Sequence, residues 1–156
     1  MPEAAVNIRW VTLRYANGIV NLWHSHLPPA RGHIFSLGAF DGAECVGVVI
    51  VSRPVARMLD DGRTVDVTRL CTNGYPNAAS SLLGRARRVA SALGCTRLVS
   101  YTLASEDGTS YRAAGWEAKA KVKARAWVRS KDDKGGGRHR ANIVAAQEKI
   151  RWERSA

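Results

Sequence analysis

The sequence predicts a single α/β domain built on a mixed, mostly antiparallel sheet with helices on both faces. Short segments alternate apolar and polar residues, as half-buried strands do, and longer segments repeat apolar residues at helical spacing. These segments follow one another in the order strand, helix, three strands, helix, strand, helix, strand, or β-α-β-β-β-α-β-α-β. A chain of 156 residues that is 46% hydrophobic can build one core but hardly two.

Turn and cap signals set the limits of the elements. Six strands are predicted, at residues 6–13, 33–40, 45–52, 64–72, 96–104 and 116–122. Three helices are predicted, at residues 15–27, 77–93 and 109–114. Pro28 and Pro29 end the first helix, while Asn77 and Gly94 are suited to cap and close the second. The later strands are therefore expected to form a βαβ crossover after an antiparallel meander.

A basic tail, residues 131–156, is predicted to follow a domain formed by residues 1–130. Three successive glycines in segment 131–140 are typical of a flexible linker, and residues 141–154 are predicted to form a short helix. Residues 117–156 carry 12 Lys and Arg against 5 Asp and Glu, within a formal net charge of +11. Such a tail attracts polyanions, so nucleic acid, with DNA preferred, is the predicted partner. Trp152 could dock on the domain or stack on a base.

Composition indicates a reduced, cytoplasmic protein. Cys45, Cys71 and Cys95 are far apart and odd in number, and no CxxC pair is present for a zinc ribbon. The first residues lack the charged segment and apolar core of a signal peptide. The longest apolar run, residues 46–51, is too short to span a bilayer, so no membrane partner is expected.

Candidate groups for proton transfer lie near the end of the first helix. His26 or His33 could act as a general base, because imidazole titrates near neutral pH. His24 and His26 would point apart on a helix, which disfavours a metal site. Arg69 lies inside an apolar strand and needs a partner, either an acidic side chain or a phosphate. The sequence has no G-x-S-x-G elbow, P-loop or dinucleotide fingerprint, so hydrolase, ATP and NAD chemistry are not predicted.

The stretch TSYRAAGW, residues 109–116, resembles a pattern of the GNAT (N-acyltransferase) superfamily. In that pattern a short helix carries a tyrosine four residues before a Gly-aromatic pair that starts the next strand. The resemblance implies a GNAT-type fold and a transferase in which the Tyr111 phenol protonates the departing thiolate of coenzyme A. The alternative is that Tyr111 only packs its helix on the sheet.

The turn after the fourth strand resembles the GNAT loop whose backbone N–H groups bind the coenzyme A pyrophosphate at a helix N-terminus. The cofactor-binding residues implied by this resemblance are Thr72, Asn73, Gly74, Asn77, Ala78, Ala79, Ser80 and Ser81. Acyl-CoA is thus the implied donor. Asn77 replaces a glycine at which backbone approaches phosphate closely, so weak or absent acetyl-CoA binding is expected.

A narrower likeness covers about residues 24–116. The segments HSHLPP, VTRLCT, LVSYT and GTSYRAAGW resemble small phage and mobile-element proteins and, more distantly, the Mom family, which modifies an exocyclic amine of adenine in DNA. This likeness implies an enzyme that modifies an amine on nucleic acid. Its phosphate contacts would come from Arg69, Arg85, Arg87, Arg88, Arg138 and Arg140. Leu103 stands where the Mom family has an acid, so Asp66, Glu106 or Asp107 would take that role.

Two other functions stay open. One is an acetyl-CoA-dependent N-acetyltransferase acting on a protein or a small amine. The other is a nucleic-acid-binding protein that kept the fold and lost the chemistry, because a fold by itself does not determine function. The sequence decides neither between them nor on the oligomeric state.

Overall fold

A computed structural model describes residues 6–24, 27–103, 105, 107–122 and 148–156. The strands in this part of the chain are β1 (Asn7–Trp10), β2 (Phe35–Asp41), β3 (Glu44–Ser52), β4 (Thr64–Thr72), β5 (Arg97–Leu103), β6 (Glu117–Val122) and β7 (Lys149–Ser155). The helices are α1 (Leu13–Trp23), α2 (Ala78–Ala92) and α3 (Thr109–Ala113), and one turn of 3₁₀ helix spans Arg57–Leu59. The predicted fold class and the order of the predicted elements are confirmed.

The described strands form one seven-stranded sheet in the order β1-β2-β3-β4-β5-β7-β6. Neighbouring strands are antiparallel except β4 and β5, which are parallel. Parallel strands cannot be joined by a tight turn, and α2 supplies the crossover between them. Between β2 and β3 the chain reverses at Gly42, whose φ of 61° lies in the left-handed region that glycine adopts without strain.

The predicted C-terminal helix is wrong over its described part, because residues Lys149–Ser155 form strand β7. β7 pairs antiparallel with β5 on one side and with β6 on the other, so the predicted boundary at residue 130 does not separate it from the sheet. Trp152 is 1% exposed, and its burial between two neighbouring strands outweighs the helix propensity of the Lys, Arg and Glu beside it. The predicted glycine linker lies outside the described residues.

Two hydrophobic layers cover the two faces of the sheet. α2 packs Leu82, Leu83 and Ala86 on one face, which we call the α2 face. On the opposite face, the α1 face, helix α1 packs Ala16 and Val20. Each layer buries apolar side chains that alternate along the central strands, as the period of two requires. This arrangement confirms the prediction that helices lie on both faces.

Helix α1 ends earlier than the two prolines predict. Thr12 caps its beginning by accepting a 3.0 Å hydrogen bond from the N–H of Tyr15. Its last residue is Trp23, after which the chain turns back along the helix. The Asn17 side chain holds the returning chain by exchanging two hydrogen bonds of 2.9 and 3.0 Å with the backbone of Ala30.

Two further expectations concern the state of the cysteines and the presence of membrane-spanning segments. Cys45, Cys71 and Cys95 are all free, and Cys71 is buried. Among the described residues, no helix is long and apolar enough to cross a bilayer.

Candidate active site between the parallel strands

The parallel strands β4 and β5 separate partway along their length. They pair only from Thr64 with Arg97 to Val67 with Ser100, although both strands continue beyond those residues. The register between β3 and β4 shifts here, so that Thr68 is an extra residue in β4. Such a bulge bends its strand, while β5 stays paired with β7 on its other edge along its whole length. A cleft therefore opens between the ends of the two strands, with Val67 and Ser100 at its apex.

Tyr111 reaches the apex of the cleft from the α2 face. Its hydroxyl oxygen lies 2.8 Å from Ser100 Oγ, and Ser100 Oγ donates a 3.0 Å hydrogen bond to the Val67 carbonyl. The ring stacks on Trp152 at 5.6 Å between centroids and meets Trp116 edge-on at 5.3 Å. Tyr111 is 7% exposed, so it packs α3 onto the sheet and also places a phenol at the apex.

Asp66 lies beside the apex on the α1 face, because it neighbours the α2-facing Val67 along β4. It is 2% exposed and accepts a 3.4 Å hydrogen bond from the N–H of Val55. Burial raises the pKa of its carboxyl from 3.8 to about 6, against the lowering effects of the Val55 N–H and of Arg69. A carboxylate with this pKa is mostly ionised at pH 7 and can still accept a proton, which suits a general base.

Tyr101, on β5, lies on the same face of the sheet as Asp66, on β4, and close to it. Burial is the main cause that raises the pKa of the Tyr101 phenol, and the charge of Asp66 adds to it. Arg151, which pairs with Tyr101 across β5 and β7, opposes that rise through its charge and a hydrogen bond. The α1 face of the cleft therefore carries a carboxyl, a phenol and a guanidinium on β4, β5 and β7, which are neighbours in the sheet.

Arg69 holds the connection between α1 and β2 against the sheet. Its Nε and Nη2 donate hydrogen bonds of 3.3 and 2.8 Å to the Pro28 carbonyl, and its Nη1 donates to the Thr68 carbonyl at 2.7 Å. These carbonyls are partners for a half-buried guanidinium in an apolar strand. Arg69 therefore anchors this loop through backbone carbonyls. Glu106 lies outside the described residues.

His33 lies beside β2, separated from β4 by β3. Its Nδ1 is 2.7 Å from the hydroxyl of Ser36, which is fully buried. His33 and Asp66 are therefore not adjacent on the sheet. His24 follows α1 as its C-terminal cap, while His26 lies outside the described residues. No group of three or more His, Cys, Asp or Glu that could hold a metal occurs in the described part of the chain.

The turn between β4 and α2 leads from the open end of β4 to the beginning of the helix. Thr72 and Asn73 tighten it by accepting hydrogen bonds, through their side-chain oxygens, from the N–H groups of Gly74 and Tyr75. Asn77 has a φ of 60°, and asparagine is among the few non-glycine residues that adopt this left-handed conformation readily. The turn thus keeps at Asn77 a backbone conformation that suits glycine.

The predicted phosphate-binding residues divide into two groups. The N–H of Ala78 donates to the Tyr75 carbonyl and the N–H of Ser81 to the Asn77 carbonyl, so neither is directed at a ligand. The N–H groups of Ala79 and Ser80 lie in the first turn of α2, where an α-helix offers them no acceptor of its own. These two groups, at the positive end of the helix dipole, are the ones suited to bind an anion.

The three arginines of α2 have different surroundings. Arg87 donates from Nε to the Ser155 carbonyl at 3.0 Å and so ties α2 to the end of β7. Arg85 and Arg88 are exposed and lie three residues apart, on neighbouring turns of the helix. The other predicted phosphate contacts, Arg138 and Arg140, lie outside the described residues.

Sequence reasoning missed two residues of the site. Ser100 is a buried hydroxyl that directly follows the apolar pair Leu98 and Val99, and a small polar residue at that point of LVSYT is the signal that could have identified it. Trp152 donates from its indole N–H to Thr102 Oγ1 at 2.9 Å, and it forms the surface on which Tyr111 stacks. Its signal is the alternation of the apolar Ile150 and Trp152 with charged neighbours.

Solved structures share this architecture over nearly the whole chain. No family model and no curated protein matches the sequence. A Bacillus subtilis acetyltransferase in complex with CoA is 15% identical, with a TM-score of 0.62 over 97% of this chain and 99% of that one. A Staphylococcus aureus N-acetyltransferase is 14% identical, with a TM-score of 0.68 over 96% and 98%. A GNAT-family acetyltransferase from Streptococcus pneumoniae is 12% identical, with a TM-score of 0.64 over 96% and 98%.

These matches give no support to the predicted likeness to phage proteins and to the Mom family, which stays a prediction. At 11 to 15% identity they establish the architecture and not the substrate. The chain has the fold of the GNAT acetyltransferases.

Proposed function

We propose that the protein is an acyl-CoA-dependent N-acyltransferase that works in the cleft between β4 and β5. The observation that carries the proposal is the separation of the parallel pair after Val67 and Ser100, with a phenol on one side and a carboxyl of raised pKa on the other. Structures of the same fold that contain CoA support the choice of donor.

The residues present fit the pyrophosphate of coenzyme A. The N–H groups of Ala79 and Ser80 would hold it at the beginning of α2. Gly74 has open space around the position of a Cβ, so a ligand can approach the turn there. Because Asn77 keeps the left-handed conformation, we propose that only its side chain, and not the shape of the turn, weakens binding.

Two side chains would move protons. An acyl-CoA donor would supply a thioester whose carbonyl is open to attack by an amine and whose sulfur would leave as the thiolate of coenzyme A. Asp66 accepts the proton that the amine gives up, and its pKa of about 6 keeps it ionised at neutral pH. Tyr111 holds a hydroxyl proton at the apex of the cleft, where it can neutralise the leaving group.

Calorimetric titration with CoA and acetyl-CoA tests the donor. We expect a one-to-one complex that Asn77→Gly tightens several-fold, because the substitution removes the side chain and suits the left-handed turn. Asn77→Asp is the matched control: it has nearly the same shape but places a negative charge beside the pyrophosphate, so about tenfold weaker binding is expected. Absence of binding in all three proteins would contradict the proposal that acyl-CoA is the donor. Equal binding by all three would show that the pyrophosphate does not bind at this turn.

An amine on nucleic acid, DNA in the first place, is a second candidate for the acceptor. The favouring observations are the formal net charge of +11 and the exposed pair Arg85 and Arg88 on a helix that has no acidic residue. Exposed arginines of this kind bind phosphates and release counterions. Replacing both with alanine should flatten the salt dependence of DNA binding, lowering its log–log slope by about 1 to 2. Mass spectrometry of nucleosides from expressing cells then separates an enzyme from a DNA-binding protein without chemistry.

A further inference from the structure

The hydrogen bonds at the apex of the cleft run in one direction. A carbonyl oxygen cannot donate, so the bond between Ser100 Oγ and the Val67 carbonyl uses the single hydroxyl proton of Ser100. Ser100 can then only accept in its 2.8 Å contact with Tyr111. The phenol proton therefore points at Ser100, and the chain runs from Tyr111 through Ser100 to the backbone of β4.

The Tyr111 ring has little freedom to move away from this arrangement. It is held between Trp152, at an interplanar angle of 18°, and Trp116, at 82°. Ser100 is 1% exposed and belongs to the last residue pair that joins β4 to β5. With the ring held by packing, the hydroxyl can still rotate, and the contact with Ser100 restricts that rotation.

We propose that Ser100 is a positioning residue that holds the Tyr111 hydroxyl and its proton at the apex of the cleft. Its backbone keeps the two parallel strands joined up to this point, and its side chain links the phenol to the Val67 carbonyl on the neighbouring strand. The consequence for turnover rests on the proposed acyltransferase function, whereas the hydrogen-bond coupling itself does not.

A thermal double-mutant cycle tests the coupling without any substrate. Ser100→Ala and Tyr111→Phe should each lower the Tm by about 2 to 4 °C, the shift for a domain of this size on loss of a buried hydrogen bond. The double variant should melt about 2 to 4 °C above the value that adding the two losses predicts, because both remove the same bond. Thr64→Val is the matched control, since it removes another buried hydroxyl, at the opposite end of the β4–β5 pairing, and its loss should add to that of Tyr111→Phe.

Steady-state kinetics with acetyl-CoA and an amine acceptor tests the role in turnover. We expect Ser100→Ala to lower kcat about tenfold and to change KM for the donor less than twofold. In a Tyr111→Phe background the same substitution should change kcat less than twofold. Ser100→Thr, which keeps the hydroxyl, should restore most of kcat in the wild-type background, and Thr64→Val, far from the apex, should leave kcat unchanged.

Two results would overturn the proposal. One is additive Tm losses for Ser100→Ala and Tyr111→Phe, which would mean that the two hydroxyls are not coupled. The other is a kcat loss for Ser100→Ala that persists in the Tyr111→Phe background, because Ser100 would then act independently of Tyr111. If the wild-type protein transfers no acyl group, the proposed function fails, and the thermal cycle alone decides whether Ser100 positions Tyr111.

Discussion

Replacing Asp66 with asparagine should make the protein more stable at neutral pH, and it should leave no general base at this position. Asparagine has nearly the shape of aspartate, and its side-chain oxygen can still accept the hydrogen bond from the N–H of Val55. The substitution removes only the ionisation of a carboxyl that is 2% exposed. The pKa of Asp66, raised by burial from 3.8 to about 6, corresponds to a cost of roughly 3 kcal/mol for ionising it in the folded state.

The sign of the pH dependence follows from the raised pKa. Well below pH 3.8, Asp66 is protonated in both the folded and the unfolded protein and costs nothing. Between 3.8 and about 6 the unfolded chain loses its proton first, so the free energy of unfolding of the wild type falls through this window and is level above it. The advantage of Asp66→Asn should therefore grow from near zero at pH 4 towards roughly 3 kcal/mol at pH 7.5, less what its buried amide N–H groups cost.

Urea unfolding of both proteins from pH 4 to 8, followed by tryptophan fluorescence, to which the buried Trp116 and Trp152 contribute, measures this difference. The same pair should show an acid limb near pH 6 in the kcat/KM of the wild type and little activity in the variant. A stability difference that does not change with pH would refute the reasoning, because the ionisation of Asp66 would then carry no burial cost.

Three further changes to the chain, two substitutions and one truncation, test the same geometry. Tyr111→Phe should keep the fold and lower turnover by about 10²-fold, measured as kcat with folded protein; unchanged kcat would leave the tyrosine a packing role only. Truncation after Ser130 removes β7 with Trp152 and should abolish the cooperative melting transition, which a calorimetric scan would show; a truncated chain that melts like the whole would contradict the central place of β7. Gly108→Ala should lower the free energy of unfolding by at least 1 to 3 kcal/mol, because a Cβ there overlaps the Trp152 ring and the φ of 67° is left-handed. Gly84→Ala, in open space on a helix, is its control and should raise stability by roughly 0.5 to 1 kcal/mol; equal effects of the two in chemical denaturation would argue against the contact.

Most of the fold could be predicted because its signals are local. The alternation of residues in β2 to β5 and the helical spacing in α2 depend on near neighbours along the chain, and the limits of β4 agree with the prediction. The stretch TSYRAAGW resembles the GNAT pattern through adjacent residues alone, and that resemblance implies a role for Tyr111 at the proposed site.

What the local signals left undecided concerns contacts between distant residues. β7 was predicted as a helix because its seven residues favour neither state by themselves, and only pairing with β5 and β6 makes them a strand. The carbonyl that engages Arg69 belongs to Pro28, 41 residues earlier in the chain. No periodicity connects residues so far apart.

The sequence by itself determined the elements from β1 to β6, their order and the residue types from which a site could be built. Only the tertiary structure decided that Tyr111 shares a hydrogen bond with Ser100, that burial raises the pKa of Asp66, and that Ala79 and Ser80 offer their N–H groups. The physical reason is that periodicity depends on a few adjacent residues. Burial and hydrogen-bond partners depend instead on which strands are neighbours in the folded sheet. In this protein the residues of the candidate site come together where the pairing of β4 with β5 ends.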